Sequence, residues 1–499
     1  MRRLLIATLL AAALFGLPTV ALARGGGGGH GGSYGGGGHF GGGGGGYGGG
    51  SYYSGGGYGA GFLGAGLFGF GGVAVLLVII LTVVAMVMAQ GRPRDDEALG
   101  EPPPPPPDSE AATAGGLAEI QQHDPTFDAE SFLQRAEMAF FLVKQAFAAR
   151  NPHLGRAYLA PPLFEPWKAS VKKLLADQQR WVFENLNVRG MQLESAEHTP
   201  QGDSLIVHFD LVAQNHLIDA NSGQTISGDS EDLRRGERWT FQRGPQAKTV
   251  LSGGVTASRC PNCGGLLKLK DDGSCDYCGA EINSGAYDWT VTVISPAQFI
   301  GVNTARSLGA TELSPEEGIA HLQATDPAFR LDDFLGRAAT AFNSLQGAWQ
   351  ESNLQASRSF MSPGLYLSWS SQVEQLIELH RKNILDGLRI DSIAPVKVVH
   401  GTAFDTLTVA ITATCADYEV DEQSGKIIFG SKTPRPFTEF WSFQRSVEAT
   451  TTGKHLLDKV CPNCGAPLEI NQIGECHYCN AAVTSGRFDW VLSRIEQAD

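Results

Sequence analysis

The sequence predicts an α+β fold, built twice. Three observations carry that reading. The second half of the chain repeats the first almost without gaps, each repeat passes from helical to extended periodicity, and each carries two paired-cysteine motifs late in its length. Asp124-Pro125 with Phe127 recurs as Asp326-Pro327 with Phe329, Phe132-Leu133 as Phe334-Leu335, and Trp167 as Trp369. The segment WTFQR from Trp239 recurs as WSFQR from Trp441, and all these pairs are shifted by 202 residues. From Cys260 to Cys461 and from Asp288-Trp289 to Asp489-Trp490 the shift is 201, so one residue is lost before the second cysteine cluster. So long a period means two copies of one domain of about 170 residues, not a solenoid of small units.

Ahead of the repeats the chain changes character several times. Arg2 and Arg3 precede an apolar run, and Ala21-Leu22-Ala23 supplies a small-x-small cleavage pattern, so residues 1–23 read as a secretory signal. Residues 24–66 are mostly glycine with scattered tyrosine, too poor in branched apolar residues to offset the entropy of folding, and are expected to be a disordered tail. Residues 67–90 carry no charge and are long enough to cross a hydrocarbon core of about 30 Å as a transmembrane helix. Arg92 and Arg94 follow directly, on the side where positive residues are retained, which places everything after residue 91 in the cytoplasm. Residues 91–119 include six consecutive prolines and read as a stiff spacer between anchor and domain.

Each repeat then begins with helix. Phe132, Ala136, Phe140, Val143 and Phe147, matched by Phe334, Ala338, Phe342, Leu345 and Trp349, recur at spacings of three and four and predict an amphipathic helix. A second helix is read from Trp167, Val171, Leu174, Gln178, Val182 and Leu186, with Trp369, Val373, Leu376, His380, Ile384 and Leu388 as counterparts. Extended structure follows. Leu205, Val207, Phe209 and Leu211, and likewise Leu407, Val409, Ile411 and Ala413, alternate with other residues as on a strand with one buried face. Ser222-Gly223 and Ser424-Gly425 mark turns into the next strand.

The cysteines hold the clearest chemistry. Eight of nine fall into two clusters of the form C-x2-C-x11-C-x2-C: Cys260, Cys263, Cys275, Cys278 and Cys461, Cys464, Cys476, Cys479. Four thiolates on two tight knuckles suit tetrahedral zinc with no open position, so two structural Zn2+ ions are expected; iron held by four thiolates is the alternative metal. A cytoplasmic placement agrees, since cytosolic thiols are kept reduced. His477, beside Cys476, has Asp276 as its counterpart and is read as a surface residue; Cys415, opposite Ala213, is read as a small core residue.

The segments DPTFDAESFLQRAEMAFFLVKQAFAARN (124–151) and DPAFRLDDFLGRAATAFNSLQGAWQESN (326–353), with Glu237 to Phe241 and Glu439 to Phe443, resemble the Tim-44-like domain family. The resemblance covers a first domain at 120–295, with a zinc ribbon at 258–282, and a second at 320–497, with a ribbon at 459–483; residues 296–319 link them. It implies two tandem cone-shaped domains similar to nuclear transport factor two, with helices on a curved antiparallel sheet around an apolar pocket. It implies a role in membrane-associated protein binding, with possible lipid contact, and no known reaction. Each ribbon is read as an insertion into the hairpin joining the last two strands, where a surface tip tolerates it.

The expected protein is a non-catalytic binding scaffold, single-pass in a bacterial inner membrane, holding a protein client, or a lipid or peptide segment, at the cytoplasmic face. An enzyme using the cone pocket and a nucleic-acid-binding ribbon are the alternatives. Nucleic acid is disfavoured by the net charge of -14 and by Asp271 and Asp272 beside Lys268 and Lys270. Catalysis is disfavoured because three candidate histidines have no counterpart in the other copy: His208 faces Ala410, His380 faces Gln178, and His123 faces Thr325. Asp124 and Asp326 do match and are read as cap or turn residues.

Overall fold

The computed structural model describes residues 107–249, 259–452 and 456–498. The expected signal segment, glycine-rich tail, membrane span and all of the proline run but Pro107 lie outside these residues. Among the described residues no helix is long and apolar enough to cross a membrane.

The first copy opens with three helices and a single turn: α1 (Pro107–His123), α2 (Ala129–Ala148), α3 (Pro152–Gly155) and α4 (Pro161–Ala176). Its strands follow as β1 (Gln179–Thr199), β2 (Gly202–Asp219), β3 (Thr225–Gly228), β4 (Leu233–Arg243) and β5 (Thr290–Ala297). They form one sheet in the order β1-β2-β4-β5, with β3 paired to β2. A connector with the short helix α5 (Thr304–Ser307) and strand β6 (Thr311–Leu313) leads to the second copy. There α6 (Pro315–Thr325), α7 (Leu331–Gln350) and α8 (Pro363–Glu378) precede β7 (Arg381–His400), β8 (Phe404–Asp421), β9 (Ile427–Ser446) and β10 (Val491–Gln497). Every strand pairing is antiparallel, in the order β10-β9-β8-β7-β6. The arrangement is the expected α+β one.

The first long helix is where the apolar stripe places it. Phe132, Ala136, Phe140 and Val143 are buried in α2, and Phe334, Ala338, Phe342 and Leu345 in α7. Against them lie the buried sides of β2 and β8, Leu205 to Leu211 and Leu407 to Ala413. Aromatic side chains fill the space between: the Phe140 ring lies 5.1 Å from Phe209 and 5.3 Å from Trp239, and Phe342 lies 5.3 Å from Trp441. Aromatic side chains thus fill much of this interior, and a small cavity remains beside them, lined by Phe132, Ala136, Ala139, Phe241 and Trp289.

The second helix is shorter than its periodicity suggests. It ends at Ala176 in one copy and Glu378 in the other, and Gln178 and His380 sit in left-handed turns at φ 54° and 52°. Val182 and Leu186, like Ile384 and Leu388, belong to β1 and β7. These strands are bulged at Glu184/Asn187, Val188/Gly190 and Leu193/Ser195, and at the same repeat positions in β7. Each bulge shifts the side-chain alternation by one residue and curls the sheet, so a period of two is lost from the sequence.

The helices α1 and α6 are equivalent, and α1 occupies residues the sequence assigned to a spacer. Both pack on the far end of the first strand through a glycine. A Cβ at Gly116 would lie 1.9 Å from the Ala196 carbonyl oxygen, and one at the matching Gly318 would lie 2.4 Å from Val398 Cβ.

The two copies are docked on each other. Glu130 of α2 accepts the backbone N–H groups of Ala403 and Phe404 at 2.7 and 3.0 Å, and Arg180 pairs with Glu378 at 2.6 Å. Ser368 and Gln375 of α8 donate to the Leu186 and Phe183 carbonyls of β1, while Leu367 enters the first copy's core. Sequence differences between the copies track this contact. Met138 and Phe141 of α2 are buried where α7 has exposed Thr340 and Asn343; Leu367 is buried where α4 has exposed Glu165.

Candidate metal centres

In each copy the cysteine loop lies between the paired strands β4 and β5, or β9 and β10, as the sequence places it. Two knuckles build it. In the first, Cys260 N–H donates to the Gly265 carbonyl at 2.8 Å and Gly264 N–H returns to the Cys260 carbonyl at 2.9 Å. That reversal needs a left-handed residue, which is Gly264 at φ 72° and Gly465 at 76°. The second knuckle repeats the pattern at Cys275 and Cys476, with Gly279 in one copy and Asn480 in the other at the left-handed position.

The knuckles bring the eight expected cysteines into two sets of four, each set with sulfurs mutually within 4.8 Å. Cys260 and Cys278 Sγ are 3.8 Å apart and Cys263 and Cys275 Sγ 4.0 Å; the second cluster has the same 3.8 and 4.0 Å. Sulfurs in a tetrahedron with bonds of about 2.3 Å lie about 3.8 Å apart, whereas a disulfide requires about 2.05 Å. The donor set fits a tetrahedral thiolate-bound metal. Asn262 and Asn463 amides donate to Cys278 and Cys479 sulfurs at 3.4 Å, outer-shell contacts that favour thiolate.

The thiols of a set are not equivalent. Burial pushes Cys260 up to about 12, while the Asn262 amide and the Ala280 N–H draw exposed Cys278 down to about 6. In the second cluster burial likewise raises Cys461 to about 12; for Cys479 burial acts upward too, but the Asn463 and Ala481 donors outweigh it and bring it to about 7. The more open thiol of each set is thus the easier to ionise and the buried one the harder, and metal binding favours the thiolate of both. His477 is exposed and contributes nothing to the set, and Cys415 is buried in the second core sheet.

Each ribbon is fixed to its domain by one buried arginine. Arg156 donates to the Lys270 carbonyl at 2.9 Å and lies 4.7 Å from the Phe164 ring; Arg358 donates to the Asn471 carbonyl at 3.3 Å and lies 4.6 Å from Tyr366. Both are at most 2% exposed. Backbone pairing of Leu159 with Val291 and of Met361 with Leu492 holds the same loop to the last strand. The ribbon bases consequently sit on a framed platform, while Leu266, Tyr277 and Tyr478 stand out at 56, 60 and 54% exposure.

Asp124 and Asp326 do more than turn the chain. Asp124 accepts from Arg243 at 2.7 Å, and from the Thr249 N–H and hydroxyl at 2.8 and 2.7 Å; Asp326 does the same with Arg445 and Thr451. Burial works against these carboxylates, yet the donors around them hold Asp124 well below the usual range and lower Asp326 as well. The ion pairs tie the start of each domain to the end of β4 or β9. Sequence reasoning missed them and the ribbon anchors, although Arg156/Arg358, Arg243/Arg445 and Thr249/Thr451 all obey the 202-residue repeat.

His208 is a buried charge of the first copy alone. Its ring nitrogens contact Asp210 at 3.0 Å and Glu194 at 3.1 Å, and Asp210 also accepts the Ile300 and Val302 N–H groups of the connector. Burial opposes the imidazolium, but the two carboxylates prevail and raise His208 to about 9. The cluster straps the connector to the sheet.

A family model described as Tim44-like domain matches residues 113–250 and 316–461, one segment in each copy. No curated protein matches the chain significantly.

Proposed function

The chain belongs to the Tim44-like domain family, and on that premise we propose that it is a non-catalytic scaffold tethered to the bacterial inner membrane. Its paired domains, of the cone type similar to nuclear transport factor two, hold a protein client at the cytoplasmic face. Zinc fills both four-cysteine sets and serves structure, because four protein thiolates leave no position for substrate. The observation that carries the reading is the rigid presentation of apolar side chains outward. Leu266, Tyr277 and Tyr478 project from ribbons pinned by buried arginines, whereas the domain interiors are largely filled with aromatic side chains. Exposed tyrosines on a stiff base are good anchors for a protein partner. The binding surface is thus assigned to the ribbons, and lipid or a peptide segment is a lesser occupant.

Photo-crosslinking in cells tests this. A photoreactive residue at Tyr277 or Tyr478 should give discrete protein adducts, while one at exposed Thr340 of α7 should not. Adducts no stronger at the ribbons than at Thr340 would refute the proposal.

A further inference from the structure

Both copies carry a histidine pair against the hairpin joining the first two strands, and the two pairs are wired differently. In the first copy the His123 and His198 rings are 4.9 Å apart; in the second, His321 and His400 are 4.4 Å apart. His198 and His400 are repeat partners, but His123 and His321 are not: they come from different turns of α1 and α6 and fill the same place. In the first copy every group has a partner. Asp203 binds His198 and the Nε of Arg243 at 2.7 Å, and His123 Nε2 contacts the Pro245 carbonyl at 2.9 Å.

The second copy leaves that wiring open. Asp405, 3% exposed, contacts His400 Nδ1 at 2.7 Å and faces His321 Nε2 at 3.4 Å. Arg445 does not reach it: its buried Nε has no hydrogen-bond partner, and neither has the buried His321 Nε2. A buried carboxylate without its twin's arginine and an imidazole nitrogen without a partner therefore point at one spot. The three donor atoms lie within 4.8 Å of one another. Donors about 2.1 Å from a metal are about 3.4 Å apart in a tetrahedron, which the His321–Asp405 spacing of 3.4 Å meets, while His400, now hydrogen-bonded to Asp405 at 2.7 Å, opens by a few tenths of an ångström to admit the ion.

We propose that His321, His400 and Asp405 form a third metal site, for a divalent first-row cation of the zinc class. Two imidazoles and one carboxylate are a donor set for zinc, cobalt, nickel or iron(II), unlike the all-thiolate ribbons. His321 Nε2 and Asp405 are buried and the His400 side chain is 42% exposed, so an ion would be reached from the His400 side. A cation there also supplies the charge that Asp405 lacks. Glu130 reaches over from the first copy to hold Ala403 and Phe404 beside the site. The site lies at the seam of the two copies, where an ion would tighten their docking.

The probe is Co2+ added to the zinc-loaded full chain. One equivalent should bind with the visible spectrum of nitrogen and oxygen ligation, without the thiolate charge-transfer band of a ribbon. In the His321→Gln/His400→Gln variant that equivalent should vanish or weaken at least tenfold, while elemental analysis still finds the ribbons' zinc. Should the double variant fold poorly, His321→Gln alone serves, since its Nε2 makes no hydrogen bond to lose. Any cobalt bound by His30 and His39 is common to all the proteins and cancels. Identical titrations of wild type and folded variant would overturn the proposal.

Discussion

Removing the metal should unfold the ribbons and leave the domains standing. The magnitude follows from what little else holds a ribbon together. The first ribbon's apolar cluster is small: Ile282 is buried in it with Cys260 and Cys275, while Leu267, Leu269, Ala280 and Tyr287 are only partly buried. A four-thiolate zinc supplies about 10–16 kcal/mol of folding free energy, the larger share of what holds the loop. Without the ion the ribbon has no folded state of its own. The domain has, because Ala160 and Val291 still pair β5 to the loop at 2.9 Å, and the Phe140, Phe209 and Trp239 core is untouched. Hydrogen exchange before and after chelation, under reducing conditions, reads both parts at once. Amides of 260–279 and 461–480 should lose protection completely, and those of 205–211 and 407–413 should keep it. Ribbon amides equally protected with the metal gone would refute the reasoning.

Three further outcomes follow from single contacts. Gly116→Ala and Gly318→Ala should each lower the melting temperature, although alanine is the better helix former by about 1 kcal/mol, because the added Cβ meets β1 or β7. Asp326→Ala should destabilise by about 3–5 kcal/mol in denaturant titration, since it strands Arg445 in the interior, and Asp124→Ala should cost less, because Asp203 still pairs with Arg243. A loss under about 1 kcal/mol from Asp326→Ala would show Arg445 to be well solvated. His208, raised from about 6.5 to about 9, contributes stability fully present below pH about 6.5 and lost as pH rises through 9, on the order of 3 kcal/mol. Between pH 7 and 10 the wild type should lose more stability than His208→Gln; equal losses would contradict the assignment.

Some of this was legible from residues alone and some was not, for physical reasons. The Phe132 to Phe147 stripe and the Leu205 to Leu211 alternation survive in the structure because one regular element meets one core face. The cysteine spacing was legible because metal geometry leaves little freedom in how two knuckles are built. The strand β1 was not, because three bulges break its alternation and leave Val182 and Leu186 at a spacing that reads as helix. Arg156, Arg358, Asp124 and Asp326 look like surface residues in any composition argument; only their partners, more than a hundred residues away, make them interior. The histidine pairs escaped for the opposite reason. His123 and His321 fail the positional match between copies, yet neighbouring turns of equivalent helices put them in the same place.

The proposal that a tethered scaffold presents its ribbons to a cytoplasmic client is tested most directly by proximity labelling from a tag at the C-terminus. The full chain should label cytoplasmic and inner-membrane proteins, and one strongly labelled partner should be lost in a Leu266→Ser/Tyr277→Ser/Tyr478→Ser variant that keeps its zinc. Labels confined to periplasmic proteins, or a partner list unchanged by the ribbon substitutions, would contradict it.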